Sequence, residues 1–169
     1  MGGMHAHVIL AAGQGTRMRS RLPKVLHPLL GKPMLLYALE AALALKPERL
    51  VVVVGHGGEK VVEALEGYPV EVAWQKEQLG TAHALLQAEG LLRDFPGPFL
   101  VTQGDTPLLS PRTLEALLRR VREGAGMALL TAELPDPTGY GRILREGEEV
   151  LGNVEEKDAP PEVRAIREV

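Results

Sequence analysis

The sequence predicts an α/β fold: a mainly parallel sheet with helices on both faces, and a β-hairpin near the C-terminus. Three observations point there. Apolar runs alternate with helical stretches of about ten residues, the rhythm of βαβ units. The strongest runs are continuously apolar, as strands covered on both faces are. After Leu134 the alternation gives way to a turn-rich segment and two short strand-like ones.

Taken in order, His7 to Ala12 (HVILAA) reads as a buried strand and Met34 to Leu45 as a helix. Arg49 to Val54 (RLVVVV) is the strongest strand, followed by a helix over Glu59 to Leu65. Val70 to Trp74 and Pro98 to Gln103 are shorter strands, separated by a helix over Thr81 to Leu92. Ser110-Pro111 is a helix start, with serine as N-cap and proline at the first helical position, and the helix covers Thr113 to Arg122. Met127 to Glu133 reads as a fifth strand. Pro135 to Arg142 (PDPTGYGR) is a turn, and Ile143 to Arg145 and Val150 to Val154 form a hairpin around Glu146 to Glu149. There is no internal repeat, hexapeptide pattern or long linker, so residues 1–169 are expected to form one domain.

Composition narrows the chemistry. Hydrophobic residues make up 45% and charged residues 24%, the balance of a folded globule rather than a disordered chain. No run of about 18 apolar residues predicts a membrane span, and no signal-peptide pattern opens the chain. With no cysteine there is no disulfide framework or thiolate nucleophile, so a cytoplasmic setting is expected. The net charge of −3 is unevenly laid out. Met1 to Leu39 has no acid but carries Arg17, Arg19, Arg21, Lys24 and Lys32; from Glu40 onward 14 basic residues face 22 acids, a net −8. Six aromatics offer few stacking platforms for nucleic acid, so a small anionic ligand on a basic loop is the better reading.

Ligands of parallel sheets sit beyond the carboxyl ends of the strands, and the first such loop is LAAGQGTRMRSRLPK, Leu10 to Lys24. Its glycines let backbone N–H groups approach phosphate oxygens. The Walker A pattern is absent, and the third glycine of a dinucleotide fingerprint is replaced by Met18. Instead Arg17 and Lys24 accompany the glycines, two cations able to converge on a triphosphate. The plainer alternative is a solvated turn. Asp105, in Gln103-Gly104-Asp105-Thr106-Pro107 after a strand, is either a carboxylate for Mg²⁺ on a phosphate or a turn aspartate bonded to its own backbone.

LAAGxGTRM followed by LPKVLHPLLGKPML resembles the sugar-nucleotide pyrophosphorylase family. QKEQLGTAH, GDTPL, DPTGYGR and VEEKDA, in this order, narrow the resemblance. They point to the N-terminal uridylyltransferase domain of the bacterial bifunctional N-acetylglucosamine-1-phosphate uridylyltransferase/glucosamine-1-phosphate N-acetyltransferases. The resemblance runs from residue 8 to about residue 167.

The resemblance implies a Rossmann-like fold of the nucleotide-diphospho-sugar transferase type. It also implies Mg²⁺-dependent transfer of UMP from UTP to N-acetylglucosamine 1-phosphate. Leu10, Ala11, Ala12 and Gly13 would hold the nucleotide through the backbone, Gln75, Gly80 and Thr81 would read uracil, and Arg17 and Lys24 would take the phosphates. Asp105 would hold the metal, and Gly141 and Glu155 would contact the sugar. Gln103 departs from the family, which often has an aromatic there. The resemblance places a second metal ligand, a sugar-contacting asparagine and the acetyltransferase β-helix beyond Val169. The domain is therefore expected to be incomplete at that end, the chain to be an inactive fragment or a binding domain if not an enzyme, and the family's trimerisation not to occur. Another nucleotidyltransferase of the same fold, for a different sugar phosphate or the molybdenum cofactor, is the alternative. His56 reads as a loop residue, and His5 and His7 as a surface metal site or, better, a strand edge or start-site extension; none is given a catalytic role.

Overall fold

The computed structural model describes residues 3–13 and 21–169, which divide into two compact units, Met1–Ala128 and Leu129–Val169. In the first unit the strands are β1 (Ala6–Ala11), β2 (Pro28–Leu29), β3 (Lys32–Pro33), β4 (Arg49–Val54), β5 (Glu71–Trp74) and β6 (Phe99–Gln103). The helices are α1 (Met34–Ala44), α2 (Gly58–Ala64), α3 (Thr81–Leu86), α4 (Glu89–Leu92) and α5 (Pro111–Arg122). Four strands make a parallel sheet in the order β5-β4-β1-β6, the fold class that the alternation predicts.

Handedness explains how both faces come to be covered. A parallel crossover is right-handed in nearly all cases, so reversing the direction of travel across the sheet moves the connecting helix to the opposite face. From β1 through β4 to β5 the chain steps one way. Leu35, Leu39 and Ala42 of α1 and Val61 of α2 pack on Ile9, Ala11, Leu50, Val52 and Val54. From β5 to β6 it returns, and Ala84 and Ala88 cover Val8, Leu10, Val51, Val53 and Ala73. Every residue of β1 is therefore buried. The apolar runs at β1 and β4 have no polar alternation because neither face meets water. Ser110 caps α5 as expected: its Oγ accepts from the Thr113 N–H at 3.2 Å, with Pro111 at the first helical position.

Two expectations are corrected and one element is added. Thr81 to Leu92 is not one helix but two, because the Gln87 side-chain amide donates to the His83 carbonyl at 2.9 Å, while the Gln87 N–H turns to Ala84 O. That side chain displaces the i→i−4 backbone bond, and the ladder breaks there. Met127 to Glu133 is not a fifth strand. Its pairing is confined to a single bridge between Glu133 and Glu168 and to bonds from Ala132 and Leu134 to Val169 and Arg167. A run of apolar residues makes a strand only where a ladder partner is available. Finally, β2 and β3 form a small antiparallel ribbon that the sequence reading passed over, turning at Leu30-Gly31 with both φ angles positive (51° and 81°). Tyr37 of α1 donates to Leu29 O at 2.7 Å and pins it.

The second unit holds the expected hairpin, β7 (Arg142–Glu146) and β8 (Glu149–Val154), with a bulge between Leu144 and Arg145. One further short helix, α6 (Pro161–Arg164), follows. Glu168 ties this unit together. It accepts from Arg145 Nε at 2.6 Å and from Thr131 Oγ1 at 2.6 Å, and these donors hold its carboxyl down to about 2. Buried Arg142 pairs with Glu156 at 3.0 Å. Among the described residues no helix is long and apolar enough to cross a membrane.

His5 and His7 are not on the surface. Both are buried in the first unit, where His7 Nε2 lies 2.8 Å from Thr102 Oγ1 on β6. Among the described residues His7 Nδ1 and His5 Nε2 have no hydrogen-bond partner. Burial pushes both side chains below the usual histidine value, His7 from 6.5 to about 4, with His5 beside it adding to the shift. The unfolded chain takes up a proton at His7 as pH falls through about 6.5, whereas the folded chain resists until about 4. Stability should therefore decline across that window, by up to about 3 kcal/mol from His7. Urea unfolding at pH 7 and pH 4.5 should show a falling midpoint that is markedly flattened in His7→Leu. An equal fall in the variant would remove His7 as the cause.

Candidate functional site

The reversal of travel lies between β1 and β6, and in open parallel sheets such a switch point opens a crevice beyond the carboxyl ends of the strands. Two loops meet there. After β1, Val25 and Leu26 are buried in a single 3₁₀ turn whose first residue, Lys24, is left exposed. After β6, the Gly104 N–H donates to Leu10 O at 2.8 Å and carries Asp105 to the end of β1. Lys24 Nζ and Asp105 Oδ2 are 2.8 Å apart. The carboxylate of this turn residue thus engages a cation. The two side chains are 46% and 30% exposed, so the pair is worth about 0–1 kcal/mol and is cheap to exchange for a ligand.

Leu10, Ala11 and Ala12 are buried, whereas Gly13 is exposed and, among the described residues, nothing stands within 4 Å of where a Cβ would be. Arg17 lies outside the described residues. The ends of β4 and β5 close in on the same loop: a Cβ on Gly55 would sit 2.8 Å from Ala12 O and 2.7 Å from Gln78 Nε2. Beyond β5, the Gln75 N–H donates to Val54 O at 2.7 Å and the side chain is buried. Its amide nitrogen lies 3.2 Å from Gly80 O and 3.0 Å from His83 Nδ1. Gly80 has a φ of 103°, open to glycine and strained for other residues, and Thr81 opens α3 with its residue exposed. Leu10 to Gly13, Lys24, Gln75, Gly80, Thr81 and Asp105 therefore all belong to the carboxyl ends of this sheet or the loops that follow them.

Other basic and histidine residues fall elsewhere. Lys32 bonds Glu40 at 2.6 Å and stands 4.1 Å from the Tyr37 ring centroid, so it serves the β2–β3 ribbon. His56 is exposed in the loop after β4. In the second unit Arg142 pairs with Val154, which sets the next residues outward, Gly141 and Glu155, across from each other at the open end of the hairpin. A Cβ on Gly141 would meet Asn153 Oδ1 at 2.5 Å. Glu155 is exposed and in no ion pair among the described residues. Its neighbour Glu156 accepts from Gly139 N–H and Arg142, which hold its carboxyl below the usual range.

No group of three or more histidine, cysteine or acidic side chains gathers among the described residues. Mg²⁺ takes one or two carboxylates and completes its shell with phosphate oxygens and water, and Asp105, here paired with the Lys24 ammonium, is a carboxylate of that kind. One residue escaped the sequence reading. His83 lies within QKEQLGTAH but had no role there, because its contact with Gln75 depends on how the intervening loop folds back.

Residues 7–159 match the family model for the MobA-like NTP transferase domain. The chain is 54% identical over 165 residues to the bifunctional protein GlmU of Syntrophotalea carbinolica, covering 97% of this chain and 36% of that protein. It is equally identical over 166 residues to GlmU of Pelotomaculum thermopropionicum, with the same coverage. It thus spans about a third of these relatives. Among solved structures, a UDP-glucose pyrophosphorylase complexed with UDP-glucose superposes with a TM-score of 0.81. That match covers 99% of this chain and 74% of the other, at 22% identity. A nucleotidyl transfer enzyme from Methanothermobacter thermautotroptrophicus gives 0.60 over 88% and 69%, at 29% identity.

Two glycines should separate packing from ligand approach. Gly55→Ala pushes a methyl into backbone and should cost about 1–3 kcal/mol in urea unfolding. Gly13→Ala meets nothing within 4 Å among the described residues and should leave stability within about 0.5 kcal/mol. A tolerated Gly55→Ala would contradict the close approach of β1 and β4 ends.

Proposed function

The chain belongs to the MobA-like NTP transferase domain family, and from that premise we propose that it transfers UMP from UTP to N-acetylglucosamine 1-phosphate, releasing pyrophosphate and forming UDP-N-acetylglucosamine, the precursor of peptidoglycan synthesis. The observation that carries this reading is the Lys24–Asp105 pair, 2.8 Å apart at the switch point of the sheet. An exposed cation and a half-buried carboxylate, both beside the end of the first strand, are the groups that a metal-bound triphosphate needs. The likeness to the two GlmU proteins supports the choice of uridine and of an amino-sugar phosphate.

The division of labour is the one that the resemblance of the motif strings implies. Leu10, Ala11, Ala12 and Gly13 present backbone to the nucleotide, and Gln75, Gly80 and Thr81 take the uracil. Lys24 leaves Asp105 for the phosphates and, with Arg17, offsets the charge that accumulates on the α-phosphoryl group. Asp105 would hold Mg²⁺, which when bound screens the triphosphate and favours departure of pyrophosphate. Gly141 and Glu155 contact the sugar through a backbone N–H and a carboxylate.

No general base is required. The phosphate oxygen of N-acetylglucosamine 1-phosphate is already ionised at neutral pH and attacks the α-phosphorus of UTP in line. A new P–O bond forms as the bond to the pyrophosphate oxygen breaks. Catalysis is then positioning and charge neutralisation. The sugar nucleotide is made from soluble substrates, which suits a cytoplasmic enzyme.

Lys24→Ala and Asp105→Ala should each lower pyrophosphate release by orders of magnitude, measured with UTP, N-acetylglucosamine 1-phosphate and Mg²⁺. Near-normal turnover in either variant would remove that residue from its role. Nucleotide binding by calorimetry without any pyrophosphate release would instead identify a binding domain. A panel of other nucleotides and sugar phosphates separates this substrate pair from those of related transferases.

A further inference from the structure

We propose that His83 is a positioning residue that fixes the orientation of the Gln75 amide, and that this orientation makes the site choose uracil over cytosine. The proposal rests on the reading of Gln75 as a base-contacting group.

The amide of a glutamine is a donor at one end and an acceptor at the other, and a base-reading site depends on which end faces the ligand. Here two neighbours decide. The atom 3.2 Å from Gly80 O must be the nitrogen, because a carbonyl oxygen only accepts. The same nitrogen is 3.0 Å from His83 Nδ1. An amide nitrogen donates and does not accept, so this contact is a hydrogen bond in the tautomer with Nδ1 bare and the imidazole proton on Nε2. Gln87, at the end of α3, donates its amide nitrogen to the His83 carbonyl at 2.9 Å. In that tautomer the 3.4 Å approach of the same nitrogen to Nε2 is no hydrogen bond, and Nδ1 faces Gln75.

Both hydrogens of the Gln75 amide are thereby committed inside the protein. The remaining group is Oε1, an acceptor, and it takes no hydrogen bond among the described residues. Uracil offers an N3–H donor between two carbonyls. Cytosine offers a bare N3 beside an amine. A fixed acceptor pairs with uracil N3–H, whereas cytosine N3 sets lone pair against lone pair. Discrimination built on a buried hydrogen-bonding group left unpaired is large, about tenfold or more. Gly80 O supplies one of the two acceptors that hold the amide this way round, and His83 supplies the other. Without His83 the amide is freer to turn and present its nitrogen, which suits cytosine.

The test compares binding of UTP and CTP to the 169-residue chain by calorimetry in the wild type, His83→Leu, His83→Asn and Gln75→Ala. His83→Leu should lower the UTP-to-CTP affinity ratio about tenfold. His83→Asn, whose side-chain oxygen can stand near the place of Nδ1, should restore most of it. A merely structural histidine would weaken both nucleotides alike. If Gln75→Ala loses UTP affinity while His83→Leu leaves the ratio unchanged, the role of His83 is overturned and that of Gln75 stands. If Gln75→Ala binds UTP as the wild type does, or the wild type binds neither nucleotide, the underlying reading of the site fails as well. A readout free of ligand is the ¹⁵N spectrum of the His83 ring in the unliganded wild type. A proton on Nε2 with Nδ1 bare is expected, and a proton on Nδ1 would overturn the proposal whatever the variants do.

Discussion

The first unit depends on the place of β1 between β4 and β6, paired to both and buried on both faces. A strand so placed must be the one where the sheet reverses its direction of growth. With right-handed crossovers, that reversal also forces the helices onto opposite faces. One geometric constraint therefore yields the two-sided core and, at the carboxyl end of β1, the crevice that the loops furnish. Val8 to Ala11 are inaccessible to ligands except through backbone at the end of the strand. Side chains able to meet a ligand have to come from the loops, and Lys24, Gln75 and Asp105 stand on them.

The Lys24–Asp105 pair illustrates how an exposed ion pair can prepare a site without stabilising it much. At their exposure the mutual attraction is weak, so neither group is locked. Each nevertheless keeps the other near the end of β1 in the free protein. What positions them is the neighbouring burial of Val25 and Leu26 on one side and the Gly104 N–H to Leu10 O bond on the other. The rigid parts are apolar or backbone; the charged ends stay exchangeable.

Two histidines show how environment assigns opposite tasks to one side chain. His7 is sealed in the core and held neutral, a polar group whose accommodation limits stability in acid. His83 is half-buried at the surface end of the sheet, and its Nδ1 faces the Gln75 amide at 3.0 Å. Periodicity could not separate them, since both stand beside small apolar residues in the sequence. The β2–β3 ribbon and the break between α3 and α4 were hidden for the same reason: each is decided by one side chain reaching backbone, Tyr37 to Leu29 O and Gln87 to His83 O.

The continuous apolar runs at β1 and β4, the helical spacing of α1 and α5, the Ser110-Pro111 start and the Glu146–Glu149 turn were enough to specify the α/β class and the hairpin, because each is a local preference written in adjacent residues. The glycine-lysine loop and the Gly-Asp turn marked the ends of β1 and β6 as the places to look. The sequence by itself thus determined the fold class, most of the long elements and which loops carry charge. Only the tertiary structure decided that Lys24 meets Asp105 while Lys32 is spent on Glu40, that Met127–Glu133 lacks a ladder, and that Gln75 presents one end of its amide. These are contacts between residues distant along the chain or across a folded loop. A hydrogen bond or ion pair extends only about three ångströms, a distance that sequence spacing does not encode.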